Sequence, residues 1–187
     1  MLLWTVRSAQ HYDRARWPLR AGVRHVDPYL LPSYRWMAAQ LRRRVGPPPR
    51  GVVLPLWAWV EKPDLRESAH LARGTPGVVL ELEVPADEVL VSDFERFHAV
   101  LGRSYLERSQ ADADRHDRLE QRLGAGGWPH TPAVRARIEA SWQRIFGFSS
   151  REMDPRHHGP ASKAVRQAVF WELGREQVRS ERRFVAR

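Results

Sequence analysis

In the segment GVVLELEVP, Val78, Leu80, Leu82 and Val84 recur at every second position, while Glu81 and Glu83 fill places between them. A period of two puts the four apolar side chains on one face and predicts a strand with one side against a core. LLWTV at the N-terminus is a shorter β-prone run, and VVLPLWAWVEKP is another, in which Pro55 marks an edge or a bulge. Elsewhere the period lengthens. In SYRWMAAQLRRRV, Tyr34, Met37, Leu41 and Val45 form one helical stripe, with Ser33 as N-cap after Pro32, and GPPPRG at 46–51 breaks the chain. Ser8 caps a short helix through SAQHYDRARWPLRAGV that Gly22 can end.

SDFERFHAVL opens with a capping box from Ser92 to Glu95 and places Phe94, Phe97 and Leu101 on one face. Residues 104–130 are strongly polar and predict a surface helix or insertion followed by a Gly-rich loop. In TPAVRARIEASWQRIF, Thr131 caps, Pro132 takes the first helical position, and Val134, Ile138 and Ile145 turn inward. DPRHHGPAS reads as a loop. The next stretch, RQAVFWELGREQV, has two readings. A helix puts Val165, Ala168, Val169 and Glu172 on one face and leaves Gln167 solvated. A strand puts Gln167, Val169, Trp171 and Leu173 together, ends at Gly174, and makes Gln167 either a buried amide or a pocket residue. Its β-branched and aromatic content favours the strand. Strands and helices mix without regular alternation, which predicts an α+β fold in a single domain over residues 1–187.

Composition changes this picture little. With 187 residues and 42% hydrophobic content, the chain can bury a core. No Cys is present, which excludes disulfides, thiolate metal sites and a Cys nucleophile. No run reaches the roughly 20 apolar residues of a membrane span, so a soluble, cytoplasmic protein is expected. The net charge of +9 suits phosphate-rich partners, although all basic residues except Lys62 and Lys163 are Arg, a skew that GC-rich coding also produces.

Among candidate chemistry, the eight His include the adjacent pair His157 and His158, which point apart on a regular element. His98, His116 and His130 show no His or carboxylate partner at helical ligand spacing, so no metal site is expected. Asp93 and Glu95 are explained by capping and the helix dipole. Trp57 and Trp59 lie two apart on one strand face, where they can be core residues or a stacking platform for a base or a nicotinamide ring. Arg42, Arg43 and Arg44 end their helix, where they suit the dipole and can also clamp phosphates. Thr5 and Arg7 share one face of the first strand.

The phrases LWTV, YRWMAAQLRRR, PLWAWVEKPDLR, LELEVPADEVLVSDFERFHAVL and RQAVFWELGREQVRSERRFVAR together resemble domain of unknown function 3841, a family of bacterial proteins. The order of an N-terminal strand, a helix ending in Gly and a late strand QAVF…EL…EQV is also similar to the layout of ADP-ribosyltransferases. That second resemblance implies a mixed sheet with flanking helices and NAD as substrate. It implies that Thr5 and Arg7 hold the cofactor, with Arg7 on the pyrophosphate, and that Tyr34, Trp57 or Trp59 stacks on the ring. Gln167 or Glu172 then holds the ribose at the reacting centre, and Arg42, Arg43 and Arg44 dock a nucleic-acid or protein acceptor. The alternative is a non-enzymatic nucleic-acid-binding module, with Trp57 and Trp59 stacking on bases and the arginines tracking phosphates.

Overall fold

The computed structural model describes residues 1–66, 70–123, 131–149 and 153–187. The chain forms two compact units, Met1–Val91 with Arg166–Arg187, and Ser92–Val165. In order, the elements are β1 (Leu2–Ser8), α1 (Ala9–Asp13), β2 (Leu19–Arg20), α2 (Leu31–Arg44), β3 (Leu56–Trp59), β4 (Pro76–Glu83) and β5 (Leu90–Asp93). There follow α3 (Phe94–Leu101), α4 (Gln110–Arg122), α5 (Pro132–Ser141), α6 (Pro155–His158), β6 (Arg166–Phe170), β7 (Glu172–Leu173) and β8 (Val178–Val185). The expected α+β class holds. No helix among the described residues is long and apolar enough to cross a membrane.

The main sheet has the order β5-β6-β3-β1-β4-β8, and β2 pairs with β7 in a small second sheet. The pairs β1–β3, β1–β4, β3–β6 and β4–β8 are antiparallel. Directly opposed residues share a face, so the register sorts the side chains. Leu3 opposes Leu82, Thr5 opposes Leu80 and Arg7 opposes Val78. This face carries the core cluster of Leu3, Leu56, Val78, Leu80, Leu82 and Phe170, joined by Leu19 of β2 and Leu173 of β7. The other face begins with Trp4 opposite Trp59, and Trp59 in turn opposite Gln167.

Several local expectations change. Ser8 does cap α1 by accepting from the His11 amide, yet the helix stops at Asp13 and Leu19–Arg20 extends as β2. α2 begins at Leu31, so Ser33 is a buried residue within the helix rather than its cap. Pro55 neither bulges nor edges a strand. It precedes β3, which lies inside the sheet, and so removes no ladder donor from the strand itself. The cap of α3 is Asp93, which accepts from the Arg96 amide at 3.0 Å, while Ser92 belongs to β5. Phe97 and Val100, with Arg96, form the buried side of that helix. For α5, Thr131 caps and Val134 and Ile138 are buried as expected, but the α-helix ends at Ser141 and buried Ile145 lies in the 3-10 turn that follows. The loop expected at DPRHHG contains the short helix α6, capped by Asp154. The expected Gly-rich loop at 124–130 lies outside the described residues.

The strand reading of RQAVF is correct, but the strand ends at Phe170 rather than Gly174. Trp171 interrupts it and donates its indole N–H to the Gly46 carbonyl at 3.0 Å. After this break the two-residue periodicity no longer applies, and Leu173 joins the face of Phe170 instead of that of Gln167. β8 is the longest of the strands that patterning misses. Its VRSERRFV has almost no buried side chain and is held as a sheet edge by backbone pairing with β4. Arginines along such an edge also discourage strand addition by a second chain.

Candidate functional sites

The main sheet divides the residues that the sequence grouped. Tyr34, Trp57, Trp59 and Gln167 belong to one side of it. Trp57 packs against Tyr34 of α2 with ring centroids 5.2 Å apart, and Trp59 and His70 form a T-shaped pair at 5.9 Å. Both indoles are half-buried, each with an aromatic neighbour. Gln167 is 4% exposed opposite Trp59. Two further polar atoms on this side, the Trp4 indole Nε1 and the His70 Nε2, are buried without a partner among the described residues.

Thr5 and Arg7 lie on the opposite face, with the core. The Thr5 hydroxyl donates to the Trp57 carbonyl at 3.2 Å. Arg7 is half-buried, its Nε has no hydrogen-bond partner, and no carboxylate pairs with it among the described residues. Desolvation pushes its guanidinium below the usual value. Leu80 stands between Thr5 on β1 and Glu181 on β8, so those two side chains lie in one row on the Arg7 face. Glu181 accepts from the Tyr12 hydroxyl of α1 at 2.7 Å, and the edge of the Tyr12 ring meets Trp17. Beside it, Arg183 pairs with Asp13 at 2.6 Å.

Glu172 is not with Gln167. On the small sheet it opposes Arg20 and forms a 2.9 Å ion pair with it. Arg42, Arg43 and Arg44 are exposed at the C-terminal end of α2, where the helix dipole favours positive charge.

Unit Ser92–Val165 holds a second concentration of polar chemistry, within the segment expected to be merely a solvated surface. Asp112 of α4 is 6% exposed and accepts from the Tyr105 hydroxyl at 3.0 Å, the Arg108 amide at 3.0 Å and Arg144 at 2.8 Å. Desolvation raises its pKa, but the Arg108 amide, the Arg144 charge and the Tyr105 bond outweigh it and hold the carboxyl below its ordinary value. His116 stacks on Tyr105 at 3.9 Å and approaches Glu120, four residues on, at 3.3 Å. A carboxylate therefore does stand at helical spacing from His116, contrary to the sequence reading. Burial pushes the His116 pKa down.

A cleft of about 510 Å³ in the same unit is lined by Glu107, His158, Asp93, His98 and Lys163, among others. The ligand atoms of Glu107, His157 and His158 all lie within 4.8 Å of one another. The expectation that the adjacent histidines diverge fails because α6 is a single turn, and both rings fold back toward the Glu107 segment. His157 Nε2 is 3.0 Å from Glu107 Oε1, and His158 Nε2 is 2.8 Å from the Glu107 carbonyl oxygen. The dipeptide was visible in the sequence, but Glu107 lies fifty residues earlier and no spacing rule links them.

The sheet and helices thus define an α+β protein with a half-buried guanidinium on its core sheet face and a His-carboxylate cluster on its helical unit. The chain belongs to the family Domain of unknown function (DUF3841), whose pattern matches residues 3–179. No curated protein and no solved structure matches it.

Proposed function

We propose that the sheet face carrying Arg7 binds the pyrophosphate of an NAD-class dinucleotide, and that the protein transfers ADP-ribose to a nucleic-acid or protein acceptor. The observation that carries this reading is Arg7 itself. A half-buried guanidinium with no carboxylate partner among the described residues is unfavourable, and a phosphate anion satisfies it bidentately.

The resemblance to ADP-ribosyltransferases calls for a late-strand Glu near that arginine. Gln167 faces the other way and Glu172 is committed to Arg20. Glu181 is the candidate: it lies on the last strand, on the Arg7 face, and accepts from the Tyr12 hydroxyl. In the reaction the glycosidic C–N bond to nicotinamide breaks and its electron pair leaves with the ring. The carboxylate stabilises the cationic ribose, and an acceptor nucleophile bonds to the anomeric carbon and releases its proton. Arg42, Arg43 and Arg44 suit an acidic acceptor. The nucleic-acid-binding alternative is less well supported, because the rings it needs are packed against Tyr34 and His70.

Incubation with radiolabelled NAD and a cell lysate tests the reading, with nuclease- and protease-treated aliquots alongside. Label entering one class of macromolecule and lost in Glu181→Gln supports it. Absence of both label and an NAD-induced rise in melting temperature overturns it.

A further inference from the structure

We propose that Glu107, His157 and His158 form a binding site for a divalent transition-metal ion of the zinc class, with one coordination position open to the adjoining cleft. The inference is independent of the nucleotide reading, because all of its residues belong to the unit Ser92–Val165.

The donor set comes first. Two imidazoles and one carboxylate match the three-protein-ligand pattern of zinc sites that keep an exchangeable fourth position. The same set discriminates against magnesium and calcium, which require oxygen donors. Spacing agrees as well. Donors about 2.0–2.1 Å from a tetrahedral ion lie about 3.3 Å apart. His157 Nε2 and Glu107 Oε1 are already at 3.0 Å, and all three ligand atoms fall within 4.8 Å. Small side-chain rotations close the set, with the metal replacing imidazole protons as the bridge.

The backbone that carries these ligands is fixed from both sides. Leu106, just before Glu107, donates its amide to the Ser141 hydroxyl at 2.9 Å, and its carbonyl accepts from Arg144. Arg108, just after it, donates its amide to Asp112 at 3.0 Å. The Arg108 carbonyl accepts from the Asp154 amide at 2.9 Å, and Asp154 is the cap of the helix bearing both histidines. The Asp112 network thereby gains a purpose that stability alone does not require: it holds Glu107 in register with α6. Outer bonds of this kind are what position the ligands of a metal centre.

Glu107 and His158 also line the 510 Å³ cleft, so the fourth position faces open space rather than packed side chains. Lys163 lines the same cleft and favours an anionic group or a hydroxide there.

The test uses the full chain without an affinity tag, stripped with chelator and then titrated calorimetrically with Zn²⁺. Co²⁺ follows as a spectroscopic probe. One equivalent bound, with visible d–d bands of a low-coordinate Co²⁺ centre, is the expected result. Glu107→Gln and His158→Ala should each weaken Zn²⁺ binding by more than about tenfold. His98→Ala, which alters the same cleft outside the cluster, should leave it unchanged. Circular dichroism and melting of the metal-free variants check folding, and His157→Ala gives a second reading if either variant unfolds. Absence of saturable uptake, or uptake indifferent to these ligand substitutions, overturns the proposal.

Discussion

Asp112 of α4 and Arg144, thirty-two residues later, form a 2.8 Å ion pair that joins the polar segment to the stretch after α5. The carboxylate also holds Tyr105 and the Arg108 amide, so one side chain ties the 105–108 segment to α4 and to Arg144. Replacing Asp112 with Ala removes the acceptor of the Arg108 amide and the only carboxylate paired with Arg144 among the described residues. A loss of about 3 kcal/mol in unfolding free energy is expected, measured by urea denaturation. A change within experimental error would reduce the network to surface decoration.

Arg7 should behave in the opposite manner. Because no carboxylate among the described residues balances it, Arg7→Met removes a partly desolvated charge at similar volume and should preserve or raise the melting temperature. NAD affinity, measured by calorimetry, should meanwhile fall by about tenfold or more. Lower stability with unchanged affinity would make Arg7 a structural residue.

His116 makes the helical unit sensitive to mild acid. Desolvation lowers its folded-state pKa, reinforced by Arg137 and opposed by Glu120 and Asp117. The unfolded chain therefore binds the proton first as pH falls through about 6.5. Stability present above that value is lost as pH descends through the folded pKa. Urea midpoints at about pH 7.5 and 5.5 should differ in the wild type, and His116→Gln should reduce that difference. An identical slope in the variant would exclude His116 as its source.

Gly77 of β4 is a packing requirement rather than a turn. A Cβ there would come within 2.6 Å of the Phe184 ring and 2.7 Å of Leu71. Gly77→Ala should cost about 1–3 kcal/mol by overpacking. If the Phe184 contact is the cause, adding Phe184→Ala recovers part of the loss in a double-mutant cycle. Strict additivity would place the strain elsewhere.

Local patterning carried the elements whose signals lie within a few residues. The alternation through Val84 marked β4, and Thr131 with Pro132 marked the start of α5. Met37 and Leu41 marked the buried stripe of α2. These depend on side-chain period and on which group can satisfy an exposed backbone amide, and both are written in short windows. β2 and β8 were invisible for the converse reason. A two-residue strand has no period, and an edge strand is held by its partner's backbone instead of by apolar burial.

The candidate sites show the same division. Arg7, Thr5, the tryptophans and the adjacent histidines could be singled out as unusual residues, because their chemistry is intrinsic. Which of them share a site could not. Sheet register puts Arg7 and Glu181 on the same face and turns Gln167 to the other, and the fold of the 105–108 segment brings Glu107 to His157 and His158. Residue types and short-range periods are properties of the chain alone. Facing, pairing and the company of a buried charge depend on contacts between residues far apart in sequence, and only the tertiary structure decides them.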